Sequence, residues 1–282
     1  DYGYQNSIYK NSSSVNDPQI IKPGLNFKNS ISIPLIFSTG KYYQYFYPTV
    51  TATYQNGYIY RDDEAGYDYG QTELSARFYF ANFYRSTMLD IYPRFAQSID
   101  FNFSFYPFDS DIYGPYTTFR SAFYFPGFLK NNGIRFRYEN DEQTIEEITL
   151  MNRINWPRGY KSYASEDLSL ITADYVMPLF YPDFNFLSLI YIKRIRTGLF
   201  YDFARGTGNY HPTLQSGSIE YQYNSGTESF SSMGLELISD FHVLRLPYMI
   251  SAGVQAAWKK GMKTPVFEMI FNIDIFGMNI GK

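Results

Sequence analysis

The stretch Gln97–Tyr106, which reads QSIDFNFSFY, carries the clearest secondary-structure pattern of this chain. Apolar residues occupy every second position and small polar residues lie between them: Ile99, Phe101, Phe103 and Phe105 alternate with Ser98, Asp100, Asn102 and Ser104. Because successive side chains of a β-strand point to opposite faces, the pattern predicts a strand with one aromatic and one polar face. The apolar face of a soluble sandwich is mostly aliphatic, so an aromatic face favours contact with lipid.

The composition supports the same interpretation. The chain has 282 residues, and 21% of them are aromatic, yet its mean hydropathy is only −0.32. Disordered chains lack aromatic residues, and apolar stretches such as Phe186–Ile192 fall far short of the roughly 18 residues that a spanning helix needs. A transmembrane barrel accounts for both numbers, because its strands alternate lipid-facing and lumen-facing residues and its two interfacial girdles use Tyr, Phe and Trp.

We therefore predict an all-β, transmembrane antiparallel β-barrel of about twelve strands, with up to about sixteen allowed by other divisions of the chain. The strands are predicted near residues 25–39, 43–60, 70–86, 96–108, 116–128, 132–140, 147–156, 167–180, 187–204, 229–240, 242–258 and 264–280. Turns are predicted between them, including the polar runs 61–70 and 205–218. Residues 1–24 are interpreted as a linker or extramembrane segment, and residues 25–282 as the barrel. An even strand number is expected, because both ends of a bacterial barrel normally return to one side.

The charge and the scarce residue types exclude several classes of function. A net charge of −3 argues against a nucleic-acid binder, and the absence of Cys excludes disulfides and thiolate sites. Only two histidines exist, His211 in a loop sequence and His242 beside a turn, and neither has the surroundings of a catalytic triad. We expect no enzyme activity, no cofactor and no metal.

One acidic cluster was weighed as a calcium site. Asp62, Asp63, Glu64 and Asp68 lie close together in the sequence, but an EF-hand register starting at Asp62 places Gly66 where a side-chain ligand belongs. A solvated hairpin tip is the favoured interpretation.

The segment Trp156–Tyr160 (WPRGY) is followed by three further motifs at a characteristic spacing. They are Ala173–Leu179 (ADYVMPL), Gly198–Phe203 (GLFYDF) and Ser232–Leu237 (SMGLEL). Over residues 150–282 this order resembles the C-terminal barrel of the outer-membrane assembly and translocation superfamily, which includes BamA, TamA and the two-partner-secretion translocators. The PRGY and YIKRIR strings also resemble barrel tails of larger envelope proteins that carry periplasmic repeats.

The resemblance implies that Pro157, Arg158, Gly159 and Tyr160 form the tip of a loop folded back into the lumen. The sequence departs from the family at three places. Ala204 stands where a Gly usually follows the F-x-Asp motif, Thr197 occupies the neighbourhood of a missing acidic residue, and the chain ends in Lys282 rather than an aromatic residue. The periplasmic POTRA repeats of the family are absent from this sequence.

A buried arginine at the loop tip needs a carboxylate partner. By strand alternation Asp202 shares a face with Arg194 and Arg196, while apolar residues occupy the other face, so Asp202 is the first choice of partner for Arg158. Asp174 is the second choice by the same reasoning. An exposed loop arginine is the alternative interpretation of Arg158.

Several further arginines are expected to face the lumen: Arg135, Arg137, Arg153, Arg194 and Arg196. They would line an anion-selective pore or pair with lumenal Asp100, Glu139 and Glu236 in ion-pair networks. The second interpretation is favoured, because a barrel of about twelve strands with an infolded loop leaves little open bore.

The resemblance implies a function without chemistry. The barrel would sit in the outer membrane of a Gram-negative bacterium and assemble or translocate proteins through its lumen or through a seam between its first and last strands. A membrane anchor or structural subunit of an envelope complex is the main alternative, and a solute channel is a further one. The expected partners are outer-membrane lipid and other envelope proteins.

Overall fold

The computed structural model describes residues 7–9, 26–61, 66–84, 90–146, 148–161, 164–187, 189–215, 218–244, 246 and 248–274. Within these ranges every regular element is a β-strand. None of the described residues belongs to a helix long and apolar enough to cross a membrane. The prediction of an all-β antiparallel fold is therefore confirmed.

The strands, numbered in chain order, have the following bounds. They are β1 (Ser7–Tyr9), β2 (Asn26–Ser32), β3 (Leu35–Thr39), β4 (Tyr42–Arg61), β5 (Gly66–Tyr84), β6 (Ala96–Phe105), β7 (Tyr116–Pro126), β8 (Gly133–Gln143), β9 (Ile148–Leu150), β10 (Ala164–Phe180), β11 (Phe184–Phe186), β12 (Ile190–Gln215), β13 (Ser218–Val243), β14 (Met249–Lys259) and β15 (Val266–Asp274).

Thirteen of these strands form one antiparallel sheet, whose path runs β15-β14-β13-β12-β10-β8-β7-β6-β5-β4-β2. β3 pairs with β4 beyond the end of β2, and β11 pairs with β12 beyond the end of β10. The path therefore crosses eleven strand positions, with β2 and β15 at its two edges. β1 and β9 form a separate two-stranded sheet.

The two ends of the sheet differ. At one end, which holds Tyr42 of β4 and Ile190 of β12, a short turn joins Thr39 of β3 to Tyr42; we call it the short-turn end. At the other end β12 and β13 stay paired as far as Gln215 and Ser218, so we call it the long-hairpin end.

Three details of the predicted strand list are wrong. The predicted strand 147–156 is not part of the large sheet, because only Ile148–Leu150 is extended and pairs with β1. The polar run 205–218 does not form a turn, since β12 and β13 continue through nearly all of it. The predicted strand 25–39 is divided at Pro34 into β2 and β3, because proline cannot donate a ladder hydrogen bond.

The two faces of the sheet have opposite polarity. Residues at alternate positions are large, apolar and exposed, as Phe103, Phe136, Leu199, Leu235 and Phe271 are. The positions between them include some buried apolar residues, such as Leu168, Val176 and Ile238, and nearly all of the buried polar or charged ones: Ser98, Ser104, Thr118, Glu139, Asp141, Thr172, Asp174, Arg194, Asp202, Ser232, Asp240, Ser251 and Gln255. We call these the apolar face and the polar face. A water-soluble sheet packs with the reverse arrangement.

Candidate functional site

Residues 151–161 connect β9 to the region before β10 and lie against the polar face; we call them the infolded segment. They contain the predicted loop tip Pro157–Tyr160. The segment lies on two groups of strands, β5 to β8 through its first half and β10 to β14 through its second half.

Arg158 makes a forked pair with Asp202. Its Nε donates to Asp202 Oδ2 at 2.9 Å and its Nη2 donates to Asp202 Oδ1 at 2.7 Å, while its backbone N–H donates to Asp202 Oδ2 at 2.9 Å. Asp202 is only 2% exposed. This bidentate geometry is the strongest that an arginine makes with a carboxylate. The first-choice partner from the sequence is thus the residue that Arg158 contacts most.

Two further carboxylates complete the site. Arg158 Nη2 donates to Asp174 Oδ1 at 2.8 Å and Nη1 donates to Glu236 Oε1 at 2.6 Å. The guanidinium carbon lies 3.6 Å from the centroid of the Phe200 ring, a cation–π contact. Asp174, Asp202 and Glu236 stand on three adjacent strands, β10, β12 and β13. One guanidinium therefore joins three strands.

A second arginine, Arg135, adds positive charge beside the three carboxylates of this site. Three carboxylates surround Arg158, and the Asp174 oxygen that Arg158 leaves free, Oδ2, accepts a hydrogen bond from Arg135 Nε at 2.9 Å. Asp174 therefore lies between two guanidinium groups. Buried carboxylates are tolerated only when they are paired in this manner.

Gly159 and Tyr160 fit the tip to β13 and β14. Gly159 has a φ of +84° and a Cβ at this position would lie 3.0 Å from the Ala257 Cβ. Tyr160 donates its hydroxyl to the Ser231 carbonyl at 3.2 Å, and the Lys259 Nζ lies 5.2 Å from the centroid of the Tyr160 ring. Glycine is required here because the backbone is left-handed and the neighbouring strand is close.

Apolar residues fill the space between the two arginines. Ile154 and Trp156 pack with Leu168, Leu170 and Ala204, and this group is one of the few buried apolar clusters among the described residues. The Trp156 ring meets Phe230 edge-on with centroids 5.2 Å apart. These contacts explain why residues 151–156 leave the sheet despite their strand-like composition.

Arg153 holds the first half of the infolded segment to the opposite group of strands. Its Nη2 donates to Glu73 Oε1 on β5 at 2.8 Å and its Nη1 donates to Ser104 Oγ on β6 at 2.7 Å. The guanidinium carbon lies 4.4 Å from the centroid of the Tyr116 ring on β7. The sequence placed Arg153 among the lumenal arginines but gave no sign of Glu73 as its partner.

The backbone of the infolded segment is also held by a buried carboxylate, Asp141 on β8. Asp141 Oδ2 accepts hydrogen bonds from the backbone N–H of Ile154 at 2.8 Å and from the Tyr116 hydroxyl at 2.8 Å. It also accepts the backbone N–H of Arg153. Asp141 was missed from the sequence, although its position in the alternation of β8 could have shown that it lies on the polar face.

The remaining predicted arginines are all ion-paired. Arg137 pairs with Glu139 at 3.4 Å, whereas Arg194 and Arg196 both pair with Asp240. Asp240 is fully buried and also accepts a hydrogen bond from Ser251 Oγ at 2.6 Å. The sequence did not identify Asp240. The expected partner Asp100 instead accepts a forked pair from Arg77, and the expected partner Glu236 binds Arg158.

A second segment, residues 90–95, lies against the polar face near the short-turn end. Arg194 Nη1 donates to the Asp90 carbonyl at 3.3 Å, and the Arg135 guanidinium carbon lies 5.1 Å from the centroid of the Tyr92 ring. Tyr92 also packs edge-on against Tyr124. Arg135 thus contacts both Tyr92 and Asp174, which links this segment to the Arg158 site.

The described residues offer no group of three or more His, Cys, Asp or Glu side chains that could hold a metal ion. The His242 Nδ1 lies 3.3 Å from the Leu246 carbonyl oxygen and its ring stacks on Tyr191. Residues 62–65, which include Asp62, Asp63 and Glu64, lie outside what the structure describes, as do the side chains of Asp68 in β5 and His211 in β12. The arrangement is one of ion pairs that fasten a segment to a sheet.

No protein-family model matches the sequence, and a search of curated proteins finds no match either.

Proposed function

We propose that this chain is an outer-membrane β-barrel whose lumen is filled by the infolded segment, and that it assembles or translocates proteins through its wall rather than through an open pore. The observation that carries the proposal is the reversed polarity of the sheet. Charged residues such as Asp202 and Asp240 are buried, while Leu199, Leu235 and Phe271 are exposed. A barrel in lipid gives both groups a favourable environment, because the apolar residues face lipid and the charged residues face a polar lumen.

The end of the apolar face supports a membrane boundary. Asn140, Ser169, Arg205 and Ser229 stand directly opposite one another on β8, β10, β12 and β13. The next row towards the short-turn end contains Tyr138, Ile171, Phe203 and Ser231. A polar row beyond a row with two aromatic residues supports an interfacial girdle at this level.

The polar face supports a filled lumen. The infolded segment is fastened by Arg153 on one side and by Arg158 on the other, and residues 90–95 lie against the same face near the short-turn end. A solute channel needs an open path lined with unpaired polar groups, whereas the arginines of this face are ion-paired. The filled lumen favours a function carried by the wall and its edges.

An anchor for an envelope complex is the second candidate, and the two-sided fastening of the infolded segment favours it. Arg153 and Arg158 each bridge several strands, so they stiffen the sheet. A stiff, closed body suits a protein that only ties its partners to the membrane.

The membrane proposal is tested by placing a charge at two matched positions of β13. Leu235→Arg lies within the apolar face and Ser229→Arg lies on the polar row. In lipid, we expect Leu235→Arg to lower the free energy of unfolding by about 2–4 kcal/mol and Ser229→Arg by about 0–1 kcal/mol. Equal, small effects at both positions would show that this face meets water.

Depletion of the protein from its native membrane separates the two candidate functions. An assembly or translocation barrel is required for other outer-membrane or secreted proteins, so their abundance should fall soon after depletion. For an anchor, the abundance of unrelated barrels stays constant and a specific complex leaves the membrane. Large, steady conductance of the purified wild-type protein in a planar bilayer would contradict both candidates.

A further inference from the structure

Over the residues that the structure describes, the path of the large sheet contains an odd number of strand positions. Eleven positions make ten neighbouring pairs, and every one of those pairs is antiparallel. Each antiparallel pair reverses the strand direction, so an even number of reversals restores it. The two edge strands, β2 and β15, therefore run in the same direction, from the long-hairpin end to the short-turn end.

The sequence predicts an even strand number, whereas the described part of the sheet has eleven positions. The predicted strand 147–156 was one of twelve, and its departure from the sheet as the infolded segment leaves eleven. When residues 151–156 lie against the polar face instead of forming a strand of the sheet, the two edge strands run in the same direction rather than in opposite directions. In a barrel with an odd number of strands, direct closure requires one parallel pair.

We propose that β2 and β15 pair with each other as parallel strands and close the sheet. This inference rests on the membrane-embedded barrel proposed above. In lipid, each unpaired backbone N–H or C=O costs several kcal/mol, so two open edges are not tolerated. The described residues of β2 and β15 form no ladder except with β4 and β14.

The faces of the two edge strands match. On β2, Phe27 and Ile31 belong to the apolar face, whereas Ser30 lies 3.0 Å from the polar-face residue Thr51. On β15, Met269 is 92% exposed on the apolar face, whereas Glu268 accepts a hydrogen bond from the buried Gln255. Parallel pairing keeps each apolar row continuous across the seam.

The charges of the edges are also complementary. Lys28 shares the polar face with Ser30 by strand alternation, and Glu268 lies on the polar face of the other edge. Pairing therefore brings an ammonium group and a carboxylate to the same side of the seam. A parallel ladder is slightly less stable per residue than an antiparallel one, so this seam is the weakest ladder of the barrel.

The experiment is a cysteine crosslinking scan in the membrane-inserted protein, which has no native Cys. Asn29→Cys or Ile31→Cys is combined in turn with a cysteine at each of four apolar-face positions of β15: Phe267, Met269, Phe271 and Ile273. In a parallel pair, moving the β2 cysteine from 29 to 31 moves the most efficient β15 partner two residues towards the carboxyl terminus. We expect that shift.

Two results overturn the proposal. A shift of the best partner in the opposite direction shows antiparallel edges, and no crosslink at any position shows that another polypeptide segment lies between them. The control pair Ala252→Cys and Phe271→Cys stands directly opposite on β14 and β15 and should crosslink whatever lies at the seam. Suppose that the control pair crosslinks and Leu235→Arg lowers the stability of the protein, but no pair of cysteines across the seam crosslinks. In that case the parallel seam is wrong and the membrane proposal stands.

Discussion

Two forked arginine–aspartate pairs lie on the same face of the sheet, but in different surroundings. Arg77 and Asp100 join β5 to β6 with distances of 2.7 and 2.7 Å, and Arg158 and Asp202 meet at 2.9 and 2.7 Å. The side chains of the first pair are 51% and 12% exposed, whereas those of the second are 16% and 3% exposed. The hydrogen-bond distances of the two pairs are nearly the same, but the Arg158–Asp202 pair is more deeply buried.

The difference shows what the infolded segment does for the polar face. Near β10 to β14 it excludes water, so the ion pairs there are desolvated and removal of one partner leaves a buried charge. Near Arg77 the infolded segment covers the polar face less completely, and water screens the pair. The segment therefore buries the ion pairs of one half of this face more deeply than those of the other half.

The largest effect is expected for Arg158→Ala. This change leaves Asp202, Glu236 and part of Asp174 without their cation, so the free energy of unfolding should fall by about 3–5 kcal/mol. Urea unfolding followed by Trp156 fluorescence measures it. Asp202→Ala should cost a similar amount, and the double variant little more than either single one. Additive losses would show that the two residues act separately.

Arg153→Ala should have the next largest effect, a loss of about 1.5–3 kcal/mol, because hydrogen bonds to Glu73 and Ser104 disappear. Arg153→Lys retains the charge and should recover part of the loss. The measurement is the same urea unfolding. An unchanged midpoint for Arg153→Ala would mean that the infolded segment is held from the Arg158 side alone.

Gly159→Ala tests how closely the loop tip fits against β14, and Gly261→Ala is its matched control for backbone strain. Gly159 and Gly261 have φ values of +84° and +83°, but a Cβ at Gly261 has nothing within 4 Å. Gly261→Ala should therefore cost about 1–2 kcal/mol from backbone strain alone. Gly159→Ala should cost more, because its Cβ also meets Ala257. Equal costs in urea unfolding would contradict the close fit of the tip.

The smallest effect is expected for Arg77→Ala, which removes the exposed pair. We expect a loss below about 1 kcal/mol, reduced further at high salt. If Arg77→Ala and Arg158→Ala lower the free energy of unfolding by similar amounts, burial does not determine how much each ion pair contributes to stability.

The sequence predicted the features that depend on local alternation. The alternation in Gln97–Tyr106 predicted which side chains share a face, and the parity of β12 placed Asp202 beside Arg194 on the polar face. Features that depend on long-range contacts were missed. Nothing near Glu73 in the sequence points to Arg153, and the strand-like pattern of residues 147–156 hid a segment whose Ile154 and Trp156 pack across the sheet.

The polar run 205–218 illustrates a different limit. Its Gly, Asn and Pro residues predict a turn. In the structure β12 and β13 instead stay paired beyond the polar row that contains Arg205. The Gly, Asn and Pro residues of this run interrupt the alternation, so the sequence pattern did not show that β12 and β13 continue through it.

The most direct test of the central claim uses the only two tryptophans of the chain. Trp258 belongs to the apolar face, where it stands opposite Met233, while Trp156 is buried in the infolded segment. In vesicles containing brominated phosphatidylcholine, we expect strong quenching of Trp258 in the Trp156→Phe variant and little quenching of Trp156 in the Trp258→Phe variant. Unquenched Trp258 fluorescence would contradict a lipid-facing sheet.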